Sequence, residues 1–493
     1  MLFNSYVFIF IFLPVVLAGY YWLASYKRLD IAKLWLVVTS FVFYGYWNIY
    51  YVPLICFSIA SNYWLGHRIA ASQGRGGRAK VFLTAGVLIN LAIICYYKYA
   101  HFFAATVSHL SSLEFTFSKV ILPLAISFYT FTQIAYLVDA YKGETRHVNY
   151  SFLEYTLFVV FFPQLIAGPI LRHNELIPQF RDPKRFLFRY KNFALGLLLF
   201  SLGLNKKVLI ADNLSPWVST VFSHADSVSF IEAWAGSLSY TFQLYFDFSG
   251  YSDMAIGLGL LFNIALPVNF DSPYKATGVG DFWRRWHITL SNFLRDYLYI
   301  PLGGSRRGEL RRYTNLVVTM LLGGLWHGAG WTFILWGGLH GLYLSIDHGW
   351  RRLRMPIPTA LAWLFTFSAV VFSWAIFRAE TLADAGHLVK AMSGLGGIVL
   401  PGTAEGKLGF VTRFGIELQN WGKLTYLPEI NGSKAQGLLV LAGLTGAAVL
   451  LPNAQEIVQK IRPNIWWALV IGSVTSFCLL SLNQVSEFLY FQF

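Results

Sequence analysis

Two histidines, His287 and His327, are the residues of this sequence best suited to chemistry. His287 ends the string DFWRRWH, and His327 lies in LLGGLWHGAGW. A neutral imidazole near pH 7 can take a proton from a hydroxyl nucleophile, which favours acid–base catalysis or group transfer. Each residue also has a structural interpretation. His327 could be a core histidine bonded to a neighbouring helix carbonyl, and interfacial helices of the kind predicted around His287 often carry histidine.

The segments that carry the two histidines differ in kind. Residues 281–298 place apolar side chains on one side of a helical wheel and mostly polar ones on the other. This predicts one amphipathic helix at a membrane interface, with His287 on its apolar side. The segment before His327 is too short to cross a hydrocarbon core of about 30 Å comfortably. We therefore expect His327 below one membrane surface, beside Trp326 and among glycines that let a substrate approach the backbone.

A long apolar run at 240–262 also carries polar side chains. They are Gln243, Asp247, Ser249, Tyr251, Ser252 and Asp253. Carboxylates inside such a run are costly, so we expect them to face a cavity or to pair with Arg284 or Arg285. A structural Asp–Arg clamp and a general-acid dyad both fit this pattern, and the clamp needs fewer special conditions.

The composition is that of an integral membrane protein. Of 493 residues, 56% are hydrophobic and 13% are charged. The net charge of +14 is the excess expected of cytoplasmic loops under the positive-inside rule, which argues against a nucleic-acid partner. The three cysteines form no CxxC or Cys/His pattern, so we predict no metal site and no disulfide framework. The sequence has no P-loop, GxSxG, dinucleotide or HExxH motif.

Apolar length and helix breakers predict thirteen candidate spans. They are residues 2–24, 34–50, 52–66, 81–97, 120–138, 193–211, 231–248, 251–268, 313–327, 331–348, 357–377, 436–452 and 464–485. Basic connections mark the cytoplasmic face, and the count then puts both termini on the periplasmic side. The segment 152–171 breaks this count, and its two prolines predict either a re-entrant, broken segment or a kinked span. Residues 378–435 are expected outside, as a small cap or a partner-docking surface.

Four strings together resemble a known family. DFWRRWHITLSNFLRDYLYIPLGG, LLGGLWHGAGWTFILWGGLHG, QLYFDFSGYSDMAIGLGL and FFPQLIAGPILR are similar to the bacterial, alginate-O-acetylation branch of the membrane-bound O-acyltransferases. The resemblance covers essentially the whole chain. It implies an all-helical polytopic fold, in which spans and re-entrant or in-plane helices form a ring around a transmembrane tunnel.

The resemblance also implies roles for particular residues. His327 takes the role of the catalytic histidine, and His287 that of the second histidine. We expect further residues to bind substrate or line the chamber: Trp326, Gln243, Asp247, Tyr251, Arg284, Trp283 and Gln164. The implied donor is acetyl-CoA or another acetyl thioester, with no bound cofactor. The implied partners are periplasmic SGNH-type acetylation proteins, membrane lipid and an exopolysaccharide acceptor, with alginate as the first expectation.

The sequence thus predicts one inner-membrane acyltransferase domain over residues 1–493. Its catalytic region spans about residues 150–350, and its extracytoplasmic loop about residues 378–435. Two rival functions use the same features. A transporter or flippase would move acetyl groups without bond chemistry, and a scaffold for periplasmic acetyltransferases would keep its function after either histidine is replaced.

Overall fold

The structure, a computed structural model, describes residues 1–72, 77–111, 120–146, 148–395, 397–401, 412–413, 416–419, 424–461, 464–482 and 489. These residues are almost entirely helical, which confirms the predicted all-α class. The strands among them are β1 (Ile398–Pro401) and β2 (Ile416–Gln419), which pair in parallel.

The first part of the chain forms helices that surround a buried, broken segment. These helices are α1 (Val7–Ser25), α2 (Leu29–Gly45), α3 (Val52–Ala71), α4 (Arg78–Ser111), α5 (Ile126–Lys142), α6 (Phe152–Val160), α7 (Phe162–Leu165) and α8 (His173–Arg181). The break at Phe161 agrees with the broken segment predicted for 152–171. There the Phe162 N–H donates to the Ser40 hydroxyl of α2 at 3.2 Å. The neighbouring helix thus provides a hydrogen-bond partner for a backbone group at the break.

The remaining helices carry the candidate catalytic residues and the C-terminal part. They are α9 (Tyr190–Phe222), α10 (Phe230–Leu261), α11 (Val279–Arg285), α12 (Ile288–Leu294), α13 (Glu309–His327), α14 (Trp331–Leu353), α15 (Thr359–Arg378), α16 (Leu382–Met392), α17 (Lys434–Leu450), α18 (Ala454–Lys460) and α19 (Ile465–Leu480). A π-helical turn, Arg295–Tyr299, follows α12 directly.

Among the described residues, four helices are long and apolar enough to cross a membrane by length and composition, namely α1, α4, α9 and α15. The pair α17 and α18, bent by 55°, would add a fifth. Several predicted spans correspond to shorter or more polar helices, because spans that pack inside a protein need not be apolar on every side. The structure therefore agrees with the prediction of a polytopic helical membrane protein.

One pair of predicted spans was wrong. Residues 231–248 and 251–268 are not two spans, because one continuous helix, α10, runs through Gly250. A Cβ at Gly250 would lie 2.7 Å from the Gly203 carbonyl of α9, and one at Gly257 would lie 2.6 Å from the Gly196 carbonyl. These glycines therefore allow two helices to pack backbone against backbone rather than breaking either helix.

The predicted span 81–97 was too short, because α4 continues to Ser111. Residues 112–118 lie outside the described part of the chain. A π-helical turn, Cys95–Tyr99, interrupts α4 at the point where Lys98 and Tyr99 reach the catalytic half of the molecule. Such single-turn π segments are frequent at functional sites.

Described parts of the predicted outer loop 378–435 pack against α10. Helix α16 begins with a capping box of Thr381 and Asp384, and the Met392 carbonyl accepts a hydrogen bond from the Trp234 indole at 2.9 Å. The Tyr426 N–H donates to Glu232 at 2.8 Å. Residues 396, 402–411, 414–415 and 420–423 of this loop lie outside the described residues, and its role as a cap or docking surface stays a prediction.

Candidate active site

His327 is the last residue of α13, and its position results from close packing of α13 on α14. The two helices are joined by a short turn, Gly328–Gly330. A Cβ at Gly324 would collide with the Phe333 carbonyl, and one at Gly337 with the Met320 carbonyl. These glycines bring helix to helix, whereas the sequence predicted that glycines around His327 would admit a substrate to the backbone.

Two residues of α4 cap the end of α13. The Lys98 ammonium donates to the Trp326 carbonyl at 2.6 Å and to the His327 carbonyl at 3.0 Å, and the Tyr99 hydroxyl donates to the Leu325 carbonyl at 2.7 Å. The last carbonyls of a helix have no partner within the helix and carry partial negative charge, so the partly buried Lys98 side chain stabilises them by donating hydrogen bonds. Sequence reasoning missed Lys98, although a lysine in an apolar helix is itself a signal of function.

The imidazole of His327 lies among aromatic rings. Its ring centroid is 5.0 Å from that of Trp326, 5.1 Å from that of Trp336 and 5.4 Å from that of Phe377. The residue is 6% exposed. Its surroundings are therefore largely dry, and electrostatic interactions there are stronger than in water.

His287 lies at a break rather than within a helix, so the predicted continuous amphipathic helix over 281–298 was wrong. Helix α11 ends at Arg285, His287 adopts a left-handed conformation with φ 42°, and α12 begins at Ile288. The break is stabilised by the preceding chain, because the Ile288 N–H donates to the Asn269 carbonyl at 3.0 Å. Left-handed residues other than glycine are uncommon and cluster at functional sites.

The hydrogen bonds of Asn269 set the tautomer of His287. The Asn269 Oδ1 accepts from the backbone N–H of Thr289 at 3.2 Å and lies 3.2 Å from His287 Nδ1. Because a backbone N–H can only donate, the amide atom facing it is the oxygen, and His287 Nδ1 must then carry the proton. In the neutral ring Nε2 is therefore the acceptor nitrogen.

The side chain of Thr289 extends this network to the broken segment. Its hydroxyl donates to Asn269 Oδ1 at 3.0 Å and accepts from the Ile170 N–H at 2.9 Å. Ile170 belongs to the string FFPQLIAGPILR. Two of the strings singled out in the sequence are therefore joined at His287 by one chain of hydrogen bonds.

Trp326 brings the two histidines to one place. Its ring centroid is 6.2 Å from that of His287 and 5.0 Å from that of His327. Trp326 also packs against Phe128, at 5.4 Å, and Phe131, at 5.3 Å, of α5. The structure thus places the two histidines predicted from sequence in contact with one buried tryptophan.

A third histidine, His340 of α14, has a structural environment. Its Nδ1 accepts from the Trp283 indole at 3.2 Å, so Nε2 carries the proton and faces the Ser373 hydroxyl at 2.9 Å. Both ring nitrogens are hydrogen-bonded within a fully buried site. His340 therefore positions Trp283 and the neighbouring Trp336, whose ring is 4.8 Å away.

A cleft of about 420 Å³ approaches this aromatic layer. Its lining includes Trp283, Arg295, Tyr299, Arg312, Met320 and His348. Trp283 forms part of the wall and lies 5.8 Å, centroid to centroid, from Trp336, which in turn contacts His327. Hydrogen bonds to Asp296 raise the pKa of the Arg295 guanidinium, which keeps its charge at the cleft. The cleft therefore carries positive charge, and the rings of Trp283 and Trp336 connect its wall to His327.

The other predicted site residues are divided between this region and more distant ones. Gln164 lines a small cavity with Phe128 and Ile170. Because Phe128 also packs against Trp326, Gln164 lies near that ring. Arg284 does not belong to the site, because its side chain is 63% exposed and pairs with Asp281 at 3.3 Å. Tyr251 stacks on Phe3 at 4.8 Å.

The expected pairing of the α10 carboxylates with Arg284 or Arg285 was wrong. Asp247 lies 2.6 Å from the Lys207 ammonium, and Asp253 lies 2.6 Å from that of Lys206. Arg285 instead pairs with Asp281 at 3.1 Å. Because α9 and α10 pack at their glycines, two consecutive lysines of α9 reach two carboxylates of α10, and this ion-pair ladder serves the structure. Gln243 is also buried, 5% exposed, on α10.

Comparison with known proteins identifies the family and relatives of this chain. The model of the membrane-bound O-acyltransferase family matches residues 144–383, a range that contains both histidines. The chain is 48% identical to the peptidoglycan O-acetyltransferase of Helicobacter pylori, over 81% of each chain. It is 38% identical to the probable alginate O-acetylase of Azotobacter vinelandii, over 100% of each chain. A teichoic acid D-alanyltransferase of Streptococcus thermophilus is 28% identical over 52% of this chain and 68% of its own.

Proposed function

Because this chain belongs to the membrane-bound O-acyltransferase family, we propose that it transfers acetyl groups from a cytoplasmic thioester to polysaccharide hydroxyls outside the inner membrane. The observation that carries this proposal is the pair of histidines that both contact Trp326. An imidazole is the base best matched to a hydroxyl nucleophile near neutral pH. A buried pair of them next to a basic cleft fits acyl transfer.

In the proposed reaction His327 takes the proton from the acceptor hydroxyl. The hydroxyl oxygen forms an ester bond with the acetyl carbon, the C–S bond breaks, and the leaving sulfur takes the proton from His327 and departs as a thiol. His287 orients the reactants. To stabilise an oxyanion, His287 would have to donate a hydrogen bond through Nε2. In the neutral His287 ring Nε2 is an acceptor, so the orienting role, which needs no additional proton, fits better.

The cleft beside Trp283 is the proposed entrance for the donor. Arg295 and Arg312 can bind anionic phosphates there, as acetyl-CoA carries and as phosphate-bearing acyl carriers present. Trp283 and Trp336 lie between this cleft and His327, so the acetyl group reaches the base only after these rings shift. No cofactor takes part in this scheme.

The orientation follows from the same proposal. The basic segment around the cleft, residues 271–312, faces the cytoplasm under the positive-inside rule, and both termini face the periplasm. The acetyl group leaves on the periplasmic side, either directly to the polymer or through SGNH-type acetylation proteins. Both routes require the same base and the same donor.

Two acceptor polymers are supported by different observations. Alginate, or a similar exopolysaccharide, is supported by full-length similarity to probable alginate O-acetylases. Peptidoglycan is supported by the higher identity, 48%, to a peptidoglycan O-acetyltransferase. Mass spectrometry of acetyl esters in purified exopolysaccharide and in purified peptidoglycan, from cells with and without this protein, distinguishes the two acceptors.

The deciding experiment compares wild type with His327→Ala, using labelled acetyl-CoA and membranes that contain the periplasmic partners. His109→Ala, which removes an exposed histidine of α4, is the matched control. We expect His327→Ala to abolish label transfer to polymer while protein level and elution profile persist. A flippase or a scaffold predicts that transfer continues in His327→Ala, and that result would overturn the proposal.

A further inference from the structure

A cluster of three possible metal ligands lies away from the two histidines just described. Asp139 is in the last turn of α5, Glu144 follows α5, and His173 begins α8. One ligand atom from each lies within 4.8 Å of the others, and His173 Nε2 is 3.5 Å from Asp139 Oδ2. Two ligands bonded to one ion at about 2.1 Å lie up to about 4.2 Å apart, so a small closure of the cluster brings all three into range.

Two of the three side chains are buried with polar atoms that lack a hydrogen-bond partner. Asp139 is 0% exposed and His173 is 1% exposed. Neither Asp139 Oδ1 nor His173 Nε2 makes a hydrogen bond within the described residues. Such atoms are rare in native proteins and indicate a missing water, ion or ligand. Here both atoms belong to the same cluster.

Neighbouring side chains already hold the ligands in place. The Tyr297 hydroxyl donates to Asp139 Oδ2 at 2.7 Å, and the Tyr150 hydroxyl lies 2.9 Å from His173 Nδ1. Metal-binding histidines usually donate through their other ring nitrogen, and metal-binding carboxylates are usually hydrogen-bonded. With Nδ1–H directed to Tyr150, Nε2 presents its lone pair to the cluster.

The charges of the cluster also fit a divalent cation. Asp139 and Glu144 together carry two negative charges, which a divalent ion neutralises. Of the cations nearby, Arg172 is paired with Asp296 at 2.6 Å, and Lys142 lies 5.0 Å over the Tyr297 ring. Neither forms an ion pair with Asp139 among the described residues, and the Asp139 carboxylate instead meets the Tyr297 hydroxyl and the His173 ring.

We propose that Asp139, Glu144 and His173 form a binding site for one divalent transition-metal ion, Zn²⁺ being the first expectation. One imidazole and two carboxylates suit Zn²⁺, which takes nitrogen and oxygen ligands, better than Mg²⁺ or Ca²⁺, which prefer all-oxygen sites. An adjacent cavity of about 410 Å³, lined by Thr145, Tyr150 and others, has room for a water as the fourth ligand. Glu144 is exposed and gives the ion a path from solvent.

A metal at this position would stabilise the part of the molecule that supports α12. It would join the end of α5 to the start of α8 and, through Tyr297, to the π-helical turn that follows α12. Its proposed role is structural, because the described ring contacts and hydrogen bonds of His287 and His327 involve none of its three ligands. The inference therefore does not depend on the proposed acyl transfer.

The test uses the full-length protein in detergent with its affinity tag removed and metal stripped by a chelator. Zn²⁺ is added, and bound metal is measured by mass spectrometry, affinity by competition with a chromophoric chelator, and thermal unfolding by intrinsic fluorescence. Mg²⁺ serves as the control ion. We expect about one Zn²⁺ per chain, a higher unfolding temperature with Zn²⁺, and no rise with Mg²⁺.

Three variants decide the assignment. Glu144→Gln alters an exposed residue and should fold normally, whereas His173→Gln removes the nitrogen ligand from the buried part. Loss of an outer partner alone weakens metal affinity by about 10- to 100-fold, so each ligand change should weaken it by at least about 10-fold. Glu380→Gln, at an exposed residue of 81% side-chain exposure, is the control and should bind as wild type.

Two results would overturn the proposal. Wild type that binds no Zn²⁺ would mean that His173 and Asp139 form an ion pair without metal. Glu144→Gln and His173→Gln that bind Zn²⁺ as tightly as wild type would place any bound ion elsewhere. Because metal content is measured apart from acetyl transfer, neither result depends on whether the protein is an acetyltransferase.

Discussion

Lys98 donates a hydrogen bond to the backbone carbonyl of His327 at 3.0 Å, so a cation from α4 holds the end of the helix that carries the candidate base. The same ammonium donates to the Trp326 carbonyl at 2.6 Å. These two residues are far apart in sequence. Their contact makes the position of His327 depend on a helix outside the catalytic strings.

Replacing Lys98 should weaken both the site and the fold. Lys98→Met leaves two carbonyls without their charged donor, which should destabilise the protein by about 1.5–3 kcal/mol per bond at most. We expect a lower unfolding temperature in detergent and acetyl transfer reduced by more than about tenfold. Lys98→Arg, which retains the charge, should recover part of both. Equal stability and activity of Lys98→Met and wild type would contradict the capping role.

Removing either histidine should abolish most of the activity without unfolding the protein. A positioned general base raises the reaction rate by about 100- to 10,000-fold, so we expect the rate of His327→Ala to fall by a factor in this range. His287→Ala should show a similar or smaller loss, because its proposed role is orientation. Rates of label transfer from acetyl-CoA, normalised to folded protein, measure both. An active His327→Ala variant would exclude this residue as the base.

Asn269 offers a test of the His287 tautomer. Asn269→Ala removes the acceptor for the Nδ1 proton, so we expect the imidazole to lose its fixed orientation and the rate to fall. Asn269→Asp keeps an acceptor oxygen for both His287 and Thr289 and should retain more activity than Asn269→Ala. The turnover rate and KM of both variants are compared at one pH. Equal rates for the two variants would argue against control by this hydrogen bond.

The cleft beside Trp283 should determine the affinity for the donor. Arg295→Glu or Arg312→Glu places negative charge where phosphates are proposed to bind, so KM for acetyl-CoA should rise by about tenfold or more, which corresponds to about 1.4 kcal/mol. Arg284→Glu, at an exposed arginine, is the matched control and should change KM little. Initial rates at varied acetyl-CoA give both parameters. A KM shift in the control variant equal to that at the cleft would indicate a general charge effect.

Close packing between α9 and α10 predicts a strong dependence on one glycine. In Gly250→Ala the new Cβ would lie 2.7 Å from the Gly203 carbonyl, so the helices must separate and stability must fall. In Gly443→Ala nothing lies within 4 Å of the new Cβ, and the better helix propensity of alanine should leave the protein unchanged or slightly more stable. Fluorescence-detected size exclusion after heating compares the two variants. Comparable stability of both would contradict the close contact.

Sequence alone determined the class of the protein, and it singled out 152–171 as either broken or kinked and the two histidines with Trp326 as candidates. Local composition and spacing indicate these features: the length of apolar runs, two prolines in a short segment, and imidazoles inside apolar strings. The resemblance of four strings to one family added the roles. None of this required knowing which helices touch.

Only the tertiary structure decided the partners. Lys98 at His327, Asn269 at His287 and Lys207 at Asp247 join residues whose spacing in sequence carries no information about contact. The sequence does not show whether Gly250 breaks a helix or lets two helices pack closely. The backbone that faces Gly250 in the structure decides between the two. A pattern along one chain gives the period of each element, whereas the contacts depend on how whole helices pack in three dimensions.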